Sequence, residues 1–459
     1  MSLTPYVQRR ARLAAALQQA GGGVAVWCTS PEHARNADSH YPYRHDSSFY
    51  YLTGFEEPQS CLVLEASGRS ILFCRPRDEE REIWDGYRLG PDAAPKALGV
   101  DEAHPITELS TRLPELLAGQ AQVWCPLADG GVARTHVDAA LQALRARERS
   151  GVQAPAALRE LAPLIDDMRL FKDAHEQGLM RRAAAIAAQA HVRAMRASAP
   201  GVREYELEAE ILHEFRKQGA TAPAYNSIVA AGANACVLHY AAGATALKDG
   251  ELCLIDAGCE FGSYASDITR TFPVNGRFGP AQRDLYDLVV AAQEAAIALT
   301  RPGARKIDSH WAATRVLAQG MLDLKLLDTN TVGTLDDVMA SAAYRRFYMH
   351  GTGHWLGMDV HDVGDVLQRD EPPVDQPDGM GGRVVKHPSR ILRPGMSLTI
   401  EPGLYVRPAP DVDEKYWHIG IRIEDDAIVT DEGCELITRD VPVASREIEA
   451  LMADTARRP

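Results

Sequence analysis

The character of the sequence changes near residue 172, and this change constrains the fold more than any other feature. Before it, short apolar runs typical of strands alternate with helical stretches. After it, Asp173 is followed three residues later by Glu176, a capping pattern that predicts the start of a long helix. Because 459 residues are enough for two sizeable cores, we predict an α/β domain at 1–172 and an α+β domain at 173–459.

The predicted elements follow from apolar periodicity and from glycine and proline punctuation. In the first domain we predict helices at 6–20 and 132–147 and strands at 23–28, 48–52, 61–65, 70–75 and 122–126. In the second we predict helices at 173–198, 204–218 and 281–299 and strands at 251–257, 268–273, 396–401 and 419–430. The segment 364–388 has four prolines, four glycines, five acidic residues and no usable period, so we expect a long mobile loop whose carboxylates could attract a substrate amine.

Composition excludes several classes of protein. A hydrophobic fraction of 46% and a charged fraction of 24% are typical of a globular chain. The formal charge of -14 would repel phosphate backbones, so nucleic acid is not an expected partner. No apolar run approaches the ~18 residues of a membrane span. The cysteines occur singly and mostly inside apolar runs, which predicts free buried thiols and a cytoplasmic protein rather than a disulfide framework.

Carboxylates lie at the ends of several predicted strands. Asp256 closes one apolar strand, and Asp267 opens the next after a turn that contains glycine. Either aspartate alone could be a turn residue. Glu401 ends a third strand, just before a proline that favours an extended backbone. In the fourth strand, alternation places Glu424 on the same face as Arg422, and a buried glutamate there needs a metal or that arginine as its partner.

Three histidines, His350, His354 and His361, lie close together in the sequence between these carboxylates. The glycines around them argue against a helix, so this is not the helical zinc-protease pattern. One isolated histidine would more often belong to the core. Together with four carboxylates at strand ends, however, the cluster favours a metal site.

These residues carry a resemblance to a known family. The motifs Leu-Ile-Asp256-Ala-Gly, Asp267-Ile-Thr-Arg-Thr-Phe, His-Gly-Thr-Gly-His354, Glu401-Pro-Gly and Ile-Arg-Ile-Glu424-Asp resemble the five ligand motifs of the "pita-bread" metallopeptidases. That family includes methionine aminopeptidase, prolidase and aminopeptidase P (Xaa-Pro aminopeptidase). The N-terminal segments 38–44, 51–55 and 83–90 are similar to bacterial aminopeptidase P, which extends the resemblance over the whole chain.

The resemblance implies a pita-bread catalytic domain with a dinuclear metal site. Its ligands would be Asp256, Asp267, His354, Glu401 and Glu424, with Asp267 and Glu424 bridging the two ions. A set made mostly of carboxylates suits Mn²⁺, although Zn²⁺ or Co²⁺ remains open. The implied reaction is hydrolysis of the N-terminal Xaa-Pro bond by a hydroxide that bridges the metals.

The resemblance also implies roles around the metals. The catalytic residues would be Glu401 as proton acceptor, His361 at the carbonyl oxygen, His239 and His350 on the substrate side, and Arg422 as support. The implied substrate-binding residues are Tyr405, Trp84 and Arg149, the last two acting across a subunit boundary of a homodimer or homotetramer. The sequence departs from its relatives at Pro388, where they carry a basic residue and where a long insertion precedes the proline.

Two other functions remain open at this point. A prolidase would share all five ligands but cut only Xaa-Pro dipeptides, and the site motifs do not separate it from aminopeptidase P. A non-catalytic pita-bread module would bind proteins instead, and measured metal content would distinguish it from an enzyme.

Overall fold

The computed structural model describes residues 4–127 and 131–454. The chain divides into two compact units, Met1–Arg169 and Leu170–Pro459. Within the described ranges, no helix is both long enough and apolar enough to span a membrane.

The first unit is built on a six-stranded mixed sheet. Its strands are β1 Val24–Cys28, β2 Ala34–Asn36, β3 Ser39–His40, β4 Cys61–Glu65, β5 Ser70–Cys74, β6 Glu102–Pro105, β7 Gln122–Cys125 and β8 Ala157–Glu160. Its helices are α1 Thr4–Gln19, α2 Ser47–Thr53, α3 Glu79–Asp85, α4 Ala94–Leu98, α5 Leu109–Leu117, α6 Val132–Arg145 and α7 Ala162–Leu170, the last of which ends at the first residue of the second unit. The strand order is β6-β5-β4-β1-β7-β8, and apolar side chains of α5 and α6 pack on the sheet. The predicted α/β class is confirmed.

The strand predicted at 48–52 is wrong, because this segment is helix α2. The side chain of Asp46 caps the helix by accepting a hydrogen bond of 2.7 Å from the backbone N–H of Phe49. Gly54 ends it in the left-handed conformation, with φ of 66°. These caps outweigh the β propensity of the aromatic residues between them.

The prediction of free thiols is wrong for two cysteines. Cys28 of β1 and Cys61 of β4 lie opposite each other in an antiparallel pair and form a disulfide. The pairing depends on strand register, which the spacing of cysteines in the sequence does not reveal. The described cysteines that remain free are Cys74, Cys125, Cys236, Cys253, Cys259 and Cys434.

The second unit has the predicted α+β layout. Its helices are α8 Ala174–Ala197, α9 Glu204–Lys217, α10 Pro280–Leu299, α11 Lys306–Asp323, α12 Thr329–Val332, α13 Leu335–Ser341 and α14 Ser445–Ala453. Its strands are β9 Ala222–Pro223, β10 Ile228–Ala231, β11 Leu252–Asp256, β12 Cys259–Phe261, β13 Tyr264–Ala265, β14 Thr269–Pro273, β15 Val374–Pro377, β16 Arg383–Lys386, β17 Ser397–Ile400, β18 Gly403–Val406, β19 Ile419–Arg422, β20 Asp425–Val429 and β21 Cys434–Leu436.

Short antiparallel sheets in this unit bring the predicted site residues towards each other. One sheet has the order β10-β11-β14 and another has the order β17-β20-β21, while β18 pairs with β19. One large apolar core holds these sheets against α8, α10 and α11. The capping box of Asp173 and Glu176 at the start of α8 is confirmed.

Two predictions in this unit need correction. The strand predicted at 419–430 is divided into β19 and β20 by Ile423 and Glu424. The segment predicted as a loop at 364–388 contains the antiparallel hairpin of β15 and β16. The hairpin residues are almost all exposed, so its sequence shows no alternation between apolar and polar positions.

Candidate metal centre

Asp256 and Asp267 converge at one end of the β11–β14 pair. Asp256 is the last residue of β11 and lies opposite Thr269, while Asp267 precedes β14 by two residues. Both carboxylates hydrogen-bond the phenol of Tyr225, whose Oη lies 2.5 Å from Oδ1 of Asp256. Burial and the surrounding carboxylates raise the pKa of Tyr225 well above its usual value, so it stays protonated. Sequence reasoning missed Tyr225, which precedes β10 with no local pattern to mark it.

Arg422 and Glu424 approach the same end of the β11–β14 pair. Arg422 is the last residue of β19, and Glu424 lies between β19 and β20. Nη2 of Arg422 lies 2.5 Å from Oδ2 of Asp256, so its direct partner is that aspartate. Glu424 instead accepts a hydrogen bond of 2.6 Å from Oγ1 of Thr269. The alternative in which Arg422 alone pairs with Glu424 is therefore not the observed arrangement.

His354 is oriented by a backbone contact. Its Nδ1 lies 2.9 Å from the carbonyl oxygen of Trp355, to which it can donate a proton. Nε2 then faces the carboxylates, 3.5 Å from Oδ2 of Asp267 and 3.8 Å from Oε1 of Glu401. Single ligand atoms of Asp267, His354 and Glu424 all lie within 4.8 Å of one another. An imidazole fixed in this way by its second nitrogen is typical of metal-binding histidines.

The charges of this cluster fit bound cations. Burial, helped by repulsion from Asp267 and Asp256, raises the pKa of Glu401 to about 7. Burial likewise raises the pKa of Asp267 and, more strongly, that of Glu424. Although burial lowers the pKa of His354, its contact with Asp267 outweighs that effect and raises the value. Four carboxylates with one arginine leave uncompensated negative charge, and hard divalent cations would neutralise it with the oxygen ligands they prefer.

All of these side chains line one cavity of about 800 Å³. Its lining includes Asp256, Asp267, His354, Glu401 and Glu424, together with His239, His350, His361, Arg422, Tyr225 and Glu208. The rings of His354 and His361 lie 4.0 Å apart between centroids. Burial lowers the pKa of His350 to about 3 and also lowers that of His361, so both imidazoles are neutral near pH 7. The one N–H of His350 is placed to donate from Nδ1 to the carbonyl oxygen of Gly351 at 2.7 Å, whereas His361 can donate one hydrogen bond within the cavity.

Tyr405 lies behind this cavity rather than in its lining. Its Oη lies 2.9 Å from Nε2 of His350 and accepts a hydrogen bond of 3.0 Å from Nη1 of Arg422. Tyr405 therefore contacts His350 and Arg422, two residues that line the cavity. The other two predicted substrate residues, Trp84 and Arg149, belong to the first unit, where both side chains are exposed.

Further polar residues hold the segments that carry His354, His361 and Asp267. Lys306 donates a hydrogen bond of 2.7 Å to the carbonyl oxygen of Gly353, and burial lowers the pKa of this lysine to about 8. The backbone N–H of Asp267 donates to Oδ2 of Asp426 at 3.0 Å. The buried pair of Lys172 and Asp362, 2.8 Å apart, anchors the chain next to His361. Sequence reasoning missed these residues because their partners are distant in the chain.

Comparison with known proteins agrees with this geometry. Residues 178–431 match the model of metallopeptidase family M24, and residues 6–124 match that of the aminopeptidase P N-terminal domain. This chain belongs to the M24 metallopeptidases. It is 45% identical to the Xaa-Pro aminopeptidase of Escherichia coli strain K12 over 97% of each chain.

Solved structures resemble this M24 chain over its whole length. The aminopeptidase PepP of Pseudomonas aeruginosa matches with a TM-score of 0.92 and 45% identity, covering 99% of each chain. A zinc-substituted E. coli aminopeptidase P in complex with product matches with a TM-score of 0.91 and 44% identity, again over 99% of each chain. The predicted fold class, an aminopeptidase P type N-terminal domain followed by a pita-bread catalytic domain, is thereby confirmed.

Proposed function

We propose that this M24 chain is a metal-dependent Xaa-Pro aminopeptidase, which removes the first residue of peptides with proline in second position. The observation that carries the proposal is one cavity whose lining brings together the carboxylates of Asp256, Asp267, Glu401 and Glu424 with His354 and three further histidines. Its curated relatives from E. coli and Haemophilus influenzae are both named Xaa-Pro aminopeptidase, which favours this activity over that of a prolidase.

Asp256, Asp267, His354, Glu401 and Glu424 would hold two metal ions. Bound there, the ions would lower the pKa of a water molecule and polarise the peptide carbonyl. We propose Mn²⁺ as the native metal because the donors are mostly carboxylates, with Zn²⁺ and Co²⁺ as alternatives.

The protein side chains supply proton transfer and orientation. An Oε atom of Glu401 would take the proton of the attacking water and return it to the proline nitrogen as the bond breaks. His361, as a neutral donor, would stabilise the negative charge that develops on the carbonyl oxygen. His239 and His350 would orient the substrate, and Arg422 with Tyr405 would fix Asp256 and His350 through the contacts described above.

A peptide panel tests the proposed specificity. We expect Ala-Pro-Ala to be cleaved at least as efficiently as Ala-Pro in the presence of Mn²⁺, because an aminopeptidase leaves the chain beyond proline free. Ala-Ala-Ala should have a much lower kcat/KM. Cleavage of Ala-Pro alone would identify a prolidase, and equal cleavage of Ala-Ala-Ala would remove the requirement for proline.

Metal exchange tests the proposed cofactor. Chelation should abolish activity, and Mn²⁺ should restore it more fully than Zn²⁺ or Co²⁺. Metal analysis of the protein as purified gives the content independently of activity. A protein that neither contains nor takes up metal would instead fit the non-catalytic binding module.

We also propose a homo-oligomer in which the exposed Trp84 and Arg149 complete the proline end of a neighbouring site. The exposed fraction of the Trp84 side chain, 81%, is unusually high for tryptophan and supports a contact with another subunit. Light scattering of the intact chain, with Trp84→Ala as the comparison, tests this. We propose a cytoplasmic location because six of the eight cysteines are free thiols and only Cys28 and Cys61 form a disulfide; cell fractionation tests it.

A further inference from the structure

A second cleft opens beside the metal cavity. Its volume is about 350 Å³, at the lower end of the range of about 300–1,000 Å³ found for ligand cavities. One wall comes from α11 and the loop that follows the short helical turn at 343–346, and the other from the β15–β16 hairpin. His350 and Gly351 line both this cleft and the metal cavity, so the two spaces meet at these residues.

Two cations, Arg345 and Lys386, line this cleft and form no ion pair with any described carboxylate. The half-buried guanidinium of Arg345 donates one hydrogen bond of 3.0 Å, from Nη2 to the carbonyl oxygen of Met349. Within the described part of the chain, neither Arg345 nor the exposed Lys386 forms an ion pair. The one carboxylate in the lining, Asp378, accepts hydrogen bonds of 2.7 and 2.9 Å from the backbone N–H groups of Met380 and Gly382, and these bonds, with a smaller attraction from Lys386, lower its pKa. The lining therefore has an excess of positive charge, in contrast to the acidic metal cavity.

The register of the hairpin explains how Lys386 comes to line the cleft. Lys386 is the cross-strand partner of Val374, and Gln376, two residues further along β15, lies on the same face. Gln376 and Lys386 both line the cleft. Arg383 lies on the opposite face, where its Nε is 2.9 Å from Oδ2 of Asp375. Lys386, which forms no ion pair with a described residue, and Arg383, which pairs with Asp375, thus lie on opposite faces of the hairpin.

We propose that this downstream cleft, lined by Trp311, Arg345, Met349 and Lys386, binds the part of a peptide that follows the cleaved bond. It would favour peptides that carry a carboxylate there, as the C-terminus or as an acidic side chain. The proposal rests on the proposed aminopeptidase function. The charge of the cleft supports this direction, because Arg345 and Lys386 would repel the amine at the start of a peptide and attract a carboxylate further along it.

Four of the five acidic residues of 364–388 have partners outside both cavities, and the fifth, Asp378, lines the downstream cleft. Glu371 pairs with Arg305 at 2.7 Å, Asp375 pairs with Arg383, and Asp365 pairs with Arg369. Asp370 accepts a hydrogen bond from Gln368. None of the five lines the metal cavity, so the expectation that they attract the substrate amine has no support in their contacts.

The test compares two pentapeptides that differ only in downstream charge, Ala-Pro-Ala-Ala-Glu and the amide of Ala-Pro-Ala-Ala-Gln. For the wild-type enzyme we expect kcat/KM to favour the acidic peptide about three- to twenty-fold, the range that two partly exposed ion pairs provide. Lys386→Gln should reduce this ratio about two- to five-fold through KM, and Arg345→Gln should do the same. The preference should weaken in 0.5 M salt, where the screening length falls to about 4 Å.

Matched controls separate this role from general loss of charge. Arg383→Gln removes the same charge from the opposite face of the hairpin, and Arg346→Gln removes the neighbouring cation, which pairs with Asp411 at 2.6 Å. Both controls should keep the wild-type ratio. A ratio that changes equally in Lys386→Gln and Arg383→Gln, or that is near one in the wild type, would overturn the proposal.

Calorimetric measurement of the binding of the same peptides to the metal-loaded protein separates a failure of the proposed aminopeptidase function from a failure of the proposed cleft. If neither peptide is cleaved, the proposed function fails, and the ratio of the two dissociation constants decides on the cleft by itself. Tighter binding of the acidic peptide to the wild type but not to Lys386→Gln supports the cleft, while equal binding refutes it.

Discussion

Glu204 offers a test of how the loop that carries His239 is held. This buried carboxylate on α9 accepts four hydrogen bonds from the segment that follows. Oε1 receives the backbone N–H of Ala231 at 2.9 Å and Nδ2 of Asn234 at 2.8 Å, while Oε2 receives Oη of Tyr240 at 3.0 Å and the backbone N–H of Gly243 at 3.1 Å. His239 lies between these contacts and immediately before Tyr240. We therefore expect the Glu204→Gln substitution to displace His239.

The size of the expected effect of Glu204→Gln follows from one hydrogen bond that the NH₂ group of glutamine cannot accept. An amide group in place of Oε2 would face two donors, and the hydroxyl of Tyr240 can rotate whereas the N–H of Gly243 cannot. Leaving one such donor unsatisfied costs about 1–3 kcal/mol. Since His239 is expected to orient substrate, kcat/KM for Ala-Pro-Ala should fall about ten-fold, a loss of about 1.4 kcal/mol in transition-state stabilisation.

Glu214→Gln is the control. Glu214 is a second buried glutamate of α9, and its Oε2 lies 3.6 Å from Nη1 of Arg193, away from the loop. Urea unfolding should show a loss of stability in both variants, whereas peptide hydrolysis should fall in Glu204→Gln alone. Equal kcat/KM in Glu204→Gln and wild type, at a measured loss of stability, would show that the carboxylate supports the fold without positioning His239.

Three other substitutions probe the metal centre and its surroundings. Asp267→Ala should lower metal content by at least one ion per chain in elemental analysis, because a bridging carboxylate has no substitute; unchanged content would refute its assignment. His361→Ala should reduce kcat about 10²–10³-fold while metal content is kept, as expected for loss of one donor to the oxyanion; loss of metal would make His361 a ligand. Burial lowers the pKa of His191 from 6.5 to about 4, since Nε2 bonds the carbonyl oxygen of Ala257 and the buried Nδ1 has no partner for a second proton. The unfolded chain therefore takes up the proton first as pH falls, and stability should decrease by about 3 kcal/mol between pH 7 and pH 4 because of this residue. His191→Gln should lose less stability over that range in urea unfolding, and an identical loss would contradict the reasoning.

The residues of the candidate metal centre could be predicted from the sequence because they lie where local patterns are clearest. Asp256 and Glu401 each follow an apolar strand, and a glycine or a proline marks the turn that comes next. Apolar and polar residues alternate from Ile421 to Glu424, and the side chains of Arg422 and Glu424 both line the cavity. Such signals need only a few neighbouring residues, so they survive without knowledge of the tertiary structure.

Features that depend on distant partners were missed or wrongly predicted. Tyr225 and Lys306 contact the site from elements far away in the chain, and no local pattern distinguishes them. Asp426 is close to Glu424 in the sequence, but its partner Asp267 is 159 residues away. The disulfide of Cys28 and Cys61 depends on the register of two strands. The hairpin of β15 and β16 was predicted as a loop because exposure on both faces removes the alternation by which a strand is usually recognised.

The metal cavity and the downstream cleft differ in the sign of their excess charge. In the metal cavity, carboxylates exceed cations, and burial, with repulsion from Asp267 and Asp256, raises the pKa of Glu401. In the cleft, Arg345 and Lys386 lie without carboxylate partners among the described residues. The fold keeps these opposite excesses apart, with His350 and Gly351 between them. A peptide has the complementary polarity, an amine at its start and a carboxylate at its end. Under the proposal above, a carboxylate that follows the cleaved bond would therefore lie against Arg345 and Lys386.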